Sequence, residues 1–370
     1  MFQSLPKGIS VKQAAPQVVL ALRTTAKDQL DIQRQIKHAM PQLADVINGP
    51  PLCRLLTFPR GGGDLQIELA FPTRSRTQRD GFATKELPGM HAFSLTHEGP
   101  LAGGEESQRF YHAWQRMVEF IVDRRILAGD DPVRCIYHRG PWTPGENETG
   151  CVTEIQVAHH LPAWLAALEE GMHRVAGEES ARRVMAGSEN LTTALDATET
   201  AGWVHDAIDR LDEEIEDEQA RSSILNACAH HYTELTKETL LQLKAQSSNL
   251  PDLVARINEE EAVAGRYWID ETGPVPVIYI ERKPARRDAH NQATSPSEKR
   301  YHACYCPLVR EAIRDGKSVS RTFCHCSGGW YVQEWELLLG RTPRVDLIST
   351  LLEEAEACVF AVHLTPEDLA

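Results

Sequence analysis

The sequence predicts an α+β fold: a duplicated βαββ antiparallel-sheet domain, then a helical segment, then a small cysteine-rich α+β domain. Three observations carry that expectation. Strand-like and helical runs alternate as βαββ twice before residue 160. The formal charge of −14 divides into +1 over residues 1–160 and −15 over 161–370, a shift that marks a boundary. Six of the nine cysteines, Cys228, Cys304, Cys306, Cys324, Cys326 and Cys358, lie beyond that boundary. The expected division is 1–160, a helical linker at 161–200, and 201–370.

Residues 17–24 (QVVLALRT) form a β-branched run, and 29–47 carry Leu30, Ile32, Ile36, Met40, Leu43 and Ile47 at helical spacing. Asn48-Gly49-Pro50-Pro51 stops that helix. Two extended runs, 52–58 and 65–71, follow. The second alternates, with Leu65, Ile67, Leu69 and Phe71 on one face and Gln66 and Glu68 on the other. The glycine triplet 61–63 between them reads as a hairpin turn, because no helix and no Gly-Lys-Ser/Thr follow it. Strands at 81–86 and 91–97, a helix at 105–125 and strands at 132–137 and 151–157 complete the second βαββ unit. Beyond residue 160 the chain turns helical, with an acidic run at 212–218 that reads as a solvated helix face. Residues 282–299 read as an exposed loop, 301–307 as extended, and 328–339 as a helix ended by Gly340. Residues 345–352 and 358–364 read as a closing hairpin.

Composition excludes several classes. With 42% hydrophobic and 25% charged residues the chain is globular in type. No apolar stretch approaches the ~20 residues of a membrane span. The start MFQSLPKGIS has no apolar export segment, so a cytoplasmic location is expected. An acidic balance argues against direct nucleic-acid binding. An odd number of cysteines without an export signal reads as reduced thiols rather than a disulfide framework.

In the first half the candidate chemistry centres on Glu154. In the extended run 151–157, Val152, Glu154 and Gln156 share a face opposite Thr153, Ile155 and Val157. Ile155 should pack on the helices and Glu154 face away. Tyr137 and Trp142 lie just upstream, Phe71 and Phe93 on neighbouring strands, and Tyr111 on the second helix. A carboxylate among aromatic rings can hold a flat cation by charge and cation–π contact. A desolvated Glu154 with a raised pKa could instead activate water as a general base. A solvent-facing glutamate on an ordinary strand is the bland alternative.

Residues 17–158 resemble the GyrI-like, AraC-type effector-binding family. The matching pieces are Gly49-Pro50-Pro51, Phe71-Pro72, Leu87-Pro88-Gly89, His97-Glu98-Gly99-Pro100, Ile136-Tyr137 and Thr153-Glu154-Ile155-Gln156-Val157. The resemblance implies a ligand groove with Glu154 as electrostatic anchor for aromatic cationic or amphipathic small molecules. It also implies a hydrolase activity seen in some stand-alone members. The chain departs at Leu101, where the family carries an aromatic residue.

In the second half, Cys304-Tyr305-Cys306 and Cys324-His325-Cys326 are two CxC pairs, with Cys228 as a further thiol. In extended backbone each pair presents two sulfurs on one face, a soft donor set suited to Zn²⁺ or an iron–sulfur cluster. A thiol-lined ligand or catalytic pocket, or structural thiols alone, are the other readings. Residues 301–364 are similar to bacterial thiazoline-carboxylate-hydrolase-like proteins and, more distantly, to vinyl-reductase-type sensing domains. That similarity implies a small-molecule-binding α+β domain with functional or metal-bound cysteines, often a homodimer. Relatives carry Gly-Asp before Cys358, where this chain has Glu353-Glu354-Ala355-Glu356. Three functions follow as expectations: a small-molecule-binding protein anchored at Glu154, a hydrolase using Glu154 or the thiols, or a ligand sensor acting through a partner.

Overall fold

The computed structural model describes residues 5–57, 64–100, 104–123, 129, 131–143, 150–191, 197–260 and 265–369. The glycine turn at 61–63 and Leu101 lie outside the described residues. The chain divides into two compact units, with the boundary between His160 and Leu161.

The first unit contains β1 (Ile9–Ala14), β2 (Gln17–Ala26), α1 (Gln29–Leu43), β3 (Leu52–Thr57), β4 (Leu65–Pro72), β5 (Ala83–Leu87), β6 (Met90–Glu98), α2 (Gly104–Asp123), β7 (Val133–Arg139) and β8 (Val152–Ala158). Asp28 caps α1 by accepting from the Asp31 amide, and Ile32, Ile36 and Leu43 form its buried stripe. The eight strands make one antiparallel sheet, ordered β1-β6-β8-β7-β3-β4-β2-β5, that curls into half a barrel.

The duplication is larger than βαββ. Each repeat is ββαββ, and its first strand crosses over: β1 pairs with β6 and β5 with β2. The repeats meet where β3 pairs with β7. Successive cross-strand partners show why the sheet has two distinct faces. Leu69, Cys53, Cys135, Ile155, Leu95 and Ile9 are aligned in one apolar row across it. This row lies on the helix face, where Phe120 of α2 meets Phe93 at 5.2 Å between ring centroids. One residue along each strand, the side chains point to the other face. That row reads Glu68, Arg54, Arg134, Gln156 and Ser94, all buried.

The second unit contains α3 (Leu161–Val184), α4 (Ala197–Glu214), α5 (Glu218–Asn226), α6 (Glu234–Gln246), α7 (Leu250–Glu259), β9 (Gly265–Asp270), β10 (Val277–Arg282), α8 (Arg287–Gln292), α9 (Pro296–Ala303), α10 (Pro307–Asp315), α11 (His325–Leu339), β11 (Val345–Ser349) and β12 (Val359–His363). Its sheet is antiparallel, ordered β11-β12-β10-β9, and its core gathers Ile257, Ile278, Ile280, Trp335 and Phe360. Residues 161–200, read from sequence as a helical connection, supply α3 to this unit: Trp164 is buried and stacks on Phe323 at 6.2 Å.

Two local expectations need correction. The 282–299 stretch contains α8 and the start of α9, which opens with a capping box between Ser295 and Glu298 and Pro296 in its first turn. Such short polar helices have no apolar stripe to reveal them, and the cap was the available signal. Cys324 and His325 stand in helical backbone at the start of α11, not in an extended segment. The closing hairpin forms between β11 and β12 as expected. Its turn places Glu354 at φ 64°, a left-handed conformation that glycine adopts more readily.

Candidate ligand-binding site

Glu154 faces away from the helices, as strand parity requires. The residue is only 4% exposed, and its carboxylate is fully engaged. Oε1 accepts from Ser94 Oγ at 2.6 Å, Gln156 Nε2 at 2.8 Å and Lys12 Nζ at 2.9 Å. Oε2 lies 2.9 Å from His138 Nε2. Strand pairing explains the convergence. Gln156 shares the face of β8 with Glu154, Ser94 is the register partner of Gln156 on β6, and Lys12 rides on β1, the edge strand beside β6. Lys12 and His138 have side chains 47% and 42% exposed, so they stand between the buried carboxylate and solvent.

Burial alone would push the Glu154 carboxyl up. Hydrogen bonds from Ser94, Gln156, Lys12 and His138 outweigh it and bring the carboxyl down to about 2. The raised-pKa expectation is therefore corrected. A carboxyl held this low stays ionised through the physiological range, which suits an electrostatic anchor better than a general base.

The aromatic residues expected around Glu154 are placed elsewhere. Tyr137 pairs with Thr153, Phe93 with Val157 and Phe71 with Leu20, and all three rings are fully buried on the helix face. Tyr137 donates to Gln29 Oε1 at 3.1 Å and takes Trp142 edge-on at 5.9 Å. Phe71 packs against Phe82, and Tyr111 on α2 is 59% exposed. The error is one of parity between strands: each ring was assigned by strand, while its face depends on register. The side chains that do share the Glu154 face are Ile136, Leu52, Ala70, Ala21 and Val19, an apolar strip, and the polar row containing Arg134. Sequence reasoning placed Gln156 on the Glu154 face but passed over Lys12, Ser94, His138 and Arg134. One signal was present: Gln66-Ile67-Glu68 and Glu154-Ile155-Gln156 are the same tripeptide with its two polar residues exchanged.

In the second unit the cysteines divide. Cys304, Cys306, Cys324 and Cys358 line one cavity of about 30 Å³ together with Arg282, Tyr305 and Phe323. Thr350 Oγ1 lies 3.0 Å from Cys324 Sγ and 4.0 Å from Cys358 Sγ. Cys326 turns away and contacts the Cys228 carbonyl at 3.6 Å. In helical backbone, residues two apart point to nearly opposite sides, so Cys324 and Cys326 cannot present sulfurs together. Among the described residues, no three His, Cys, Asp or Glu side chains are placed to share a metal ion. Burial pushes the thiols up, Cys306 to about 12 and Cys326 to about 11, with Cys228, Cys304 and Cys324 also raised. Among the described residues the thiols are therefore not arranged as the convergent donor set of a structural zinc centre. Arg282 stacks on Tyr305 at 4.2 Å and on Trp330 at 5.5 Å.

Among the described residues no helix is long and apolar enough to cross a membrane. No family model and no curated protein matches the sequence. Part of the chain is similar to solved structures of other proteins. The C-terminal domain of EcmrR shares 14% identity over 40% of this chain and 95% of that one, with a TM-score of 0.34. SAV2435 bound to tetraphenylphosphonium shares 13% over 41% and 93%, with a TM-score of 0.29. A hydrolase from Listeria innocua shares 11% over 42% and 93%, with a TM-score of 0.29.

Proposed function

We propose that the first unit is a small-molecule-binding module that takes a cationic group at Glu154. One observation carries the reading: a buried carboxylate, held ionised at neutral pH by its donors, whose nearest cation is the half-exposed Lys12. A lysine tethered on an edge strand is an exchangeable counter-ion. It occupies the position that a ligand ammonium takes once Lys12 swings into solvent, where its charge is fully hydrated. The apolar strip of Leu52, Ala70, Ala21, Val19 and Ile136 on the same face provides a surface for the ligand's hydrocarbon body. The resemblance of residues 17–158 to effector-binding domains points the same way. Catalysis by Glu154 is the weaker reading, because a carboxyl near 2 is a poor proton acceptor at neutral pH.

The test is calorimetric titration of the full chain with 2-phenylethylamine. Glu154→Gln weakens binding by about tenfold or more, the loss of one charged hydrogen bond. Lys12→Ala strengthens it, because the competing cation is gone. Equal affinity in wild type and Glu154→Gln removes Glu154 as the anchor.

A further inference from the structure

The two repeats place their buried carboxylates at different positions. Arg54 on β3 stands opposite Arg134 on β7 where the repeats meet. Outward from Arg54 come Glu68 and Arg23, and outward from Arg134 come Gln156 and Ser94. Glu68 and Gln156 are therefore structural equivalents, as are Gln66 and Glu154.

In the first repeat the arginine is neutralised. Arg54 Nη1 donates to Glu68 Oε1 at 2.5 Å, while Lys85 Nζ and Arg23 Nε lie 2.6 Å and 3.6 Å from Glu68 Oε2. In the second repeat the carboxylate sits two residues along, at Glu154, where Ser94, Gln156, Lys12 and His138 occupy it. Among the described residues Arg134 has no carboxylate in hydrogen-bonding contact, and Asp131 acts on its charge only at longer range. Arg134 is 1% exposed and donates from Nη2 to the Pro88 carbonyl at 3.1 Å. Its Nε and Nη1 are buried with no acceptor among the described residues, and Gln156 Oε1 is buried with no donor. Buried guanidinium N–H groups without acceptors are costly, and an anion seated against them removes that cost. The face as a whole agrees: among the described residues Lys12, Arg23, Arg54, Lys85 and Arg134 outnumber Glu68, Glu98 and Glu154, a local positive surplus in a chain whose net charge is −14.

We propose that Arg134 and Gln156 form a carboxylate subsite beside Glu154, and that the ligand is a small α-amino carboxylate zwitterion. The ligand carboxylate takes the place against Arg134 that Glu68 takes against Arg54. Its ammonium donates to Glu154 and to Gln156 Oε1, the orphaned acceptor. Glu154 pairs with Ile136, two residues from Arg134 on the same face of β7, so the two anchors are diagonal neighbours roughly 7–8 Å apart at the backbone. Two charged groups on a single carbon reach both. This assignment rests on the reading of Glu154 as a cation anchor and adds the second charge.

Three matched probes separate the two ideas in titrations of the full chain: L-phenylalanine carries both charges, 2-phenylethylamine only the cation, and 3-phenylpropionate only the anion. Phenylalanine binds about tenfold or more tighter than either single-charge probe. Arg134→Met removes that advantage by weakening phenylalanine binding, while 2-phenylethylamine binds no more weakly than to wild type. It also raises Tm, because an apolar side chain replaces buried donors that have no acceptors. The exchange Glu154→Gln with Gln156→Glu copies the first repeat, supplies Arg134 with a carboxylate from within, and abolishes 3-phenylpropionate binding. If 2-phenylethylamine binds as tightly as phenylalanine, or phenylalanine is indifferent to Arg134→Met, the carboxylate subsite is overturned while the Glu154 anchor stands. If only 3-phenylpropionate binds, the anchor fails and the subsite stands. Binding of none of the three overturns both.

Discussion

Glu154 is an acid whose surroundings, not its burial, decide its charge. Its folded-state carboxyl is held at about 2 against an ordinary value of 4.5. The folded state therefore binds its proton more weakly than the unfolded chain does. The resulting stability is fully present above about pH 4.5 and is lost as pH falls towards 2. Two of the four donors are exposed and screened, so the contribution is about 2 kcal/mol rather than the larger figure the bare shift gives. In Glu154→Gln this contribution disappears. Chemical denaturation at pH 7, 4.5 and 3 should show the variant less stable at pH 7, with the gap to wild type closing as the pH drops. Parallel pH profiles for the two proteins would show that the ion pairs carry no net stability.

Elements pack at different tolerances, and two glycines in helices of the second unit measure the difference. Gly329 of α11 lies against the end of α5, where an added Cβ would come 2.0 Å from the Asn226 carbonyl oxygen. Backbone cannot yield as a flexible side chain can, so Gly329→Ala forces the helices apart and costs about 1–3 kcal/mol. Gly202 in α4 has nothing within 4 Å of such a Cβ. There Gly202→Ala only restricts the unfolded chain and gains roughly 0.5–1 kcal/mol. Thermal denaturation of the two variants should move in opposite directions, and a shared sign would refute the packing account. The same contrast explains what was legible in the sequence. Periodicity within one element is written locally, so α1, α11, the strands β6, β7 and β8 and the outward direction of Glu154 could be read directly. Register between elements is not local. Tyr137, Phe93 and Phe71 look like neighbours of Glu154 along the chain, yet pairing with Thr153, Val157 and Leu20 sends them through the sheet. Lys12 was missed for the reverse reason, since β1 is a short, mostly polar edge strand whose importance comes from pairing with β6.

At the scale of the whole chain, the nine cysteines give a count that tests burial everywhere at once. All nine are thiols: six are buried, and Cys306, Cys326 and Cys358 are partly exposed. Reaction with a charged disulfide reagent requires access and a thiolate. Access limits the native protein to three sites. Burial lowers the rate further at two of these, because it holds Cys306 near 12 and Cys326 near 11, leaving little thiolate at pH 8. Titration with Ellman's reagent at pH 8 should give at most three equivalents in native protein, with Cys358 reacting first, and nine in denaturant. Cys358→Ser should remove the fast phase and leave the denatured count at eight. Six or more rapid equivalents in native protein would mean that the buried cysteines of one or both units are open to solvent. A missing pair in denaturant under non-reducing conditions would mean that two thiols had joined. The Cys358→Ser variant then identifies the pair: if Cys358 is one member, its partner is released and the count rises.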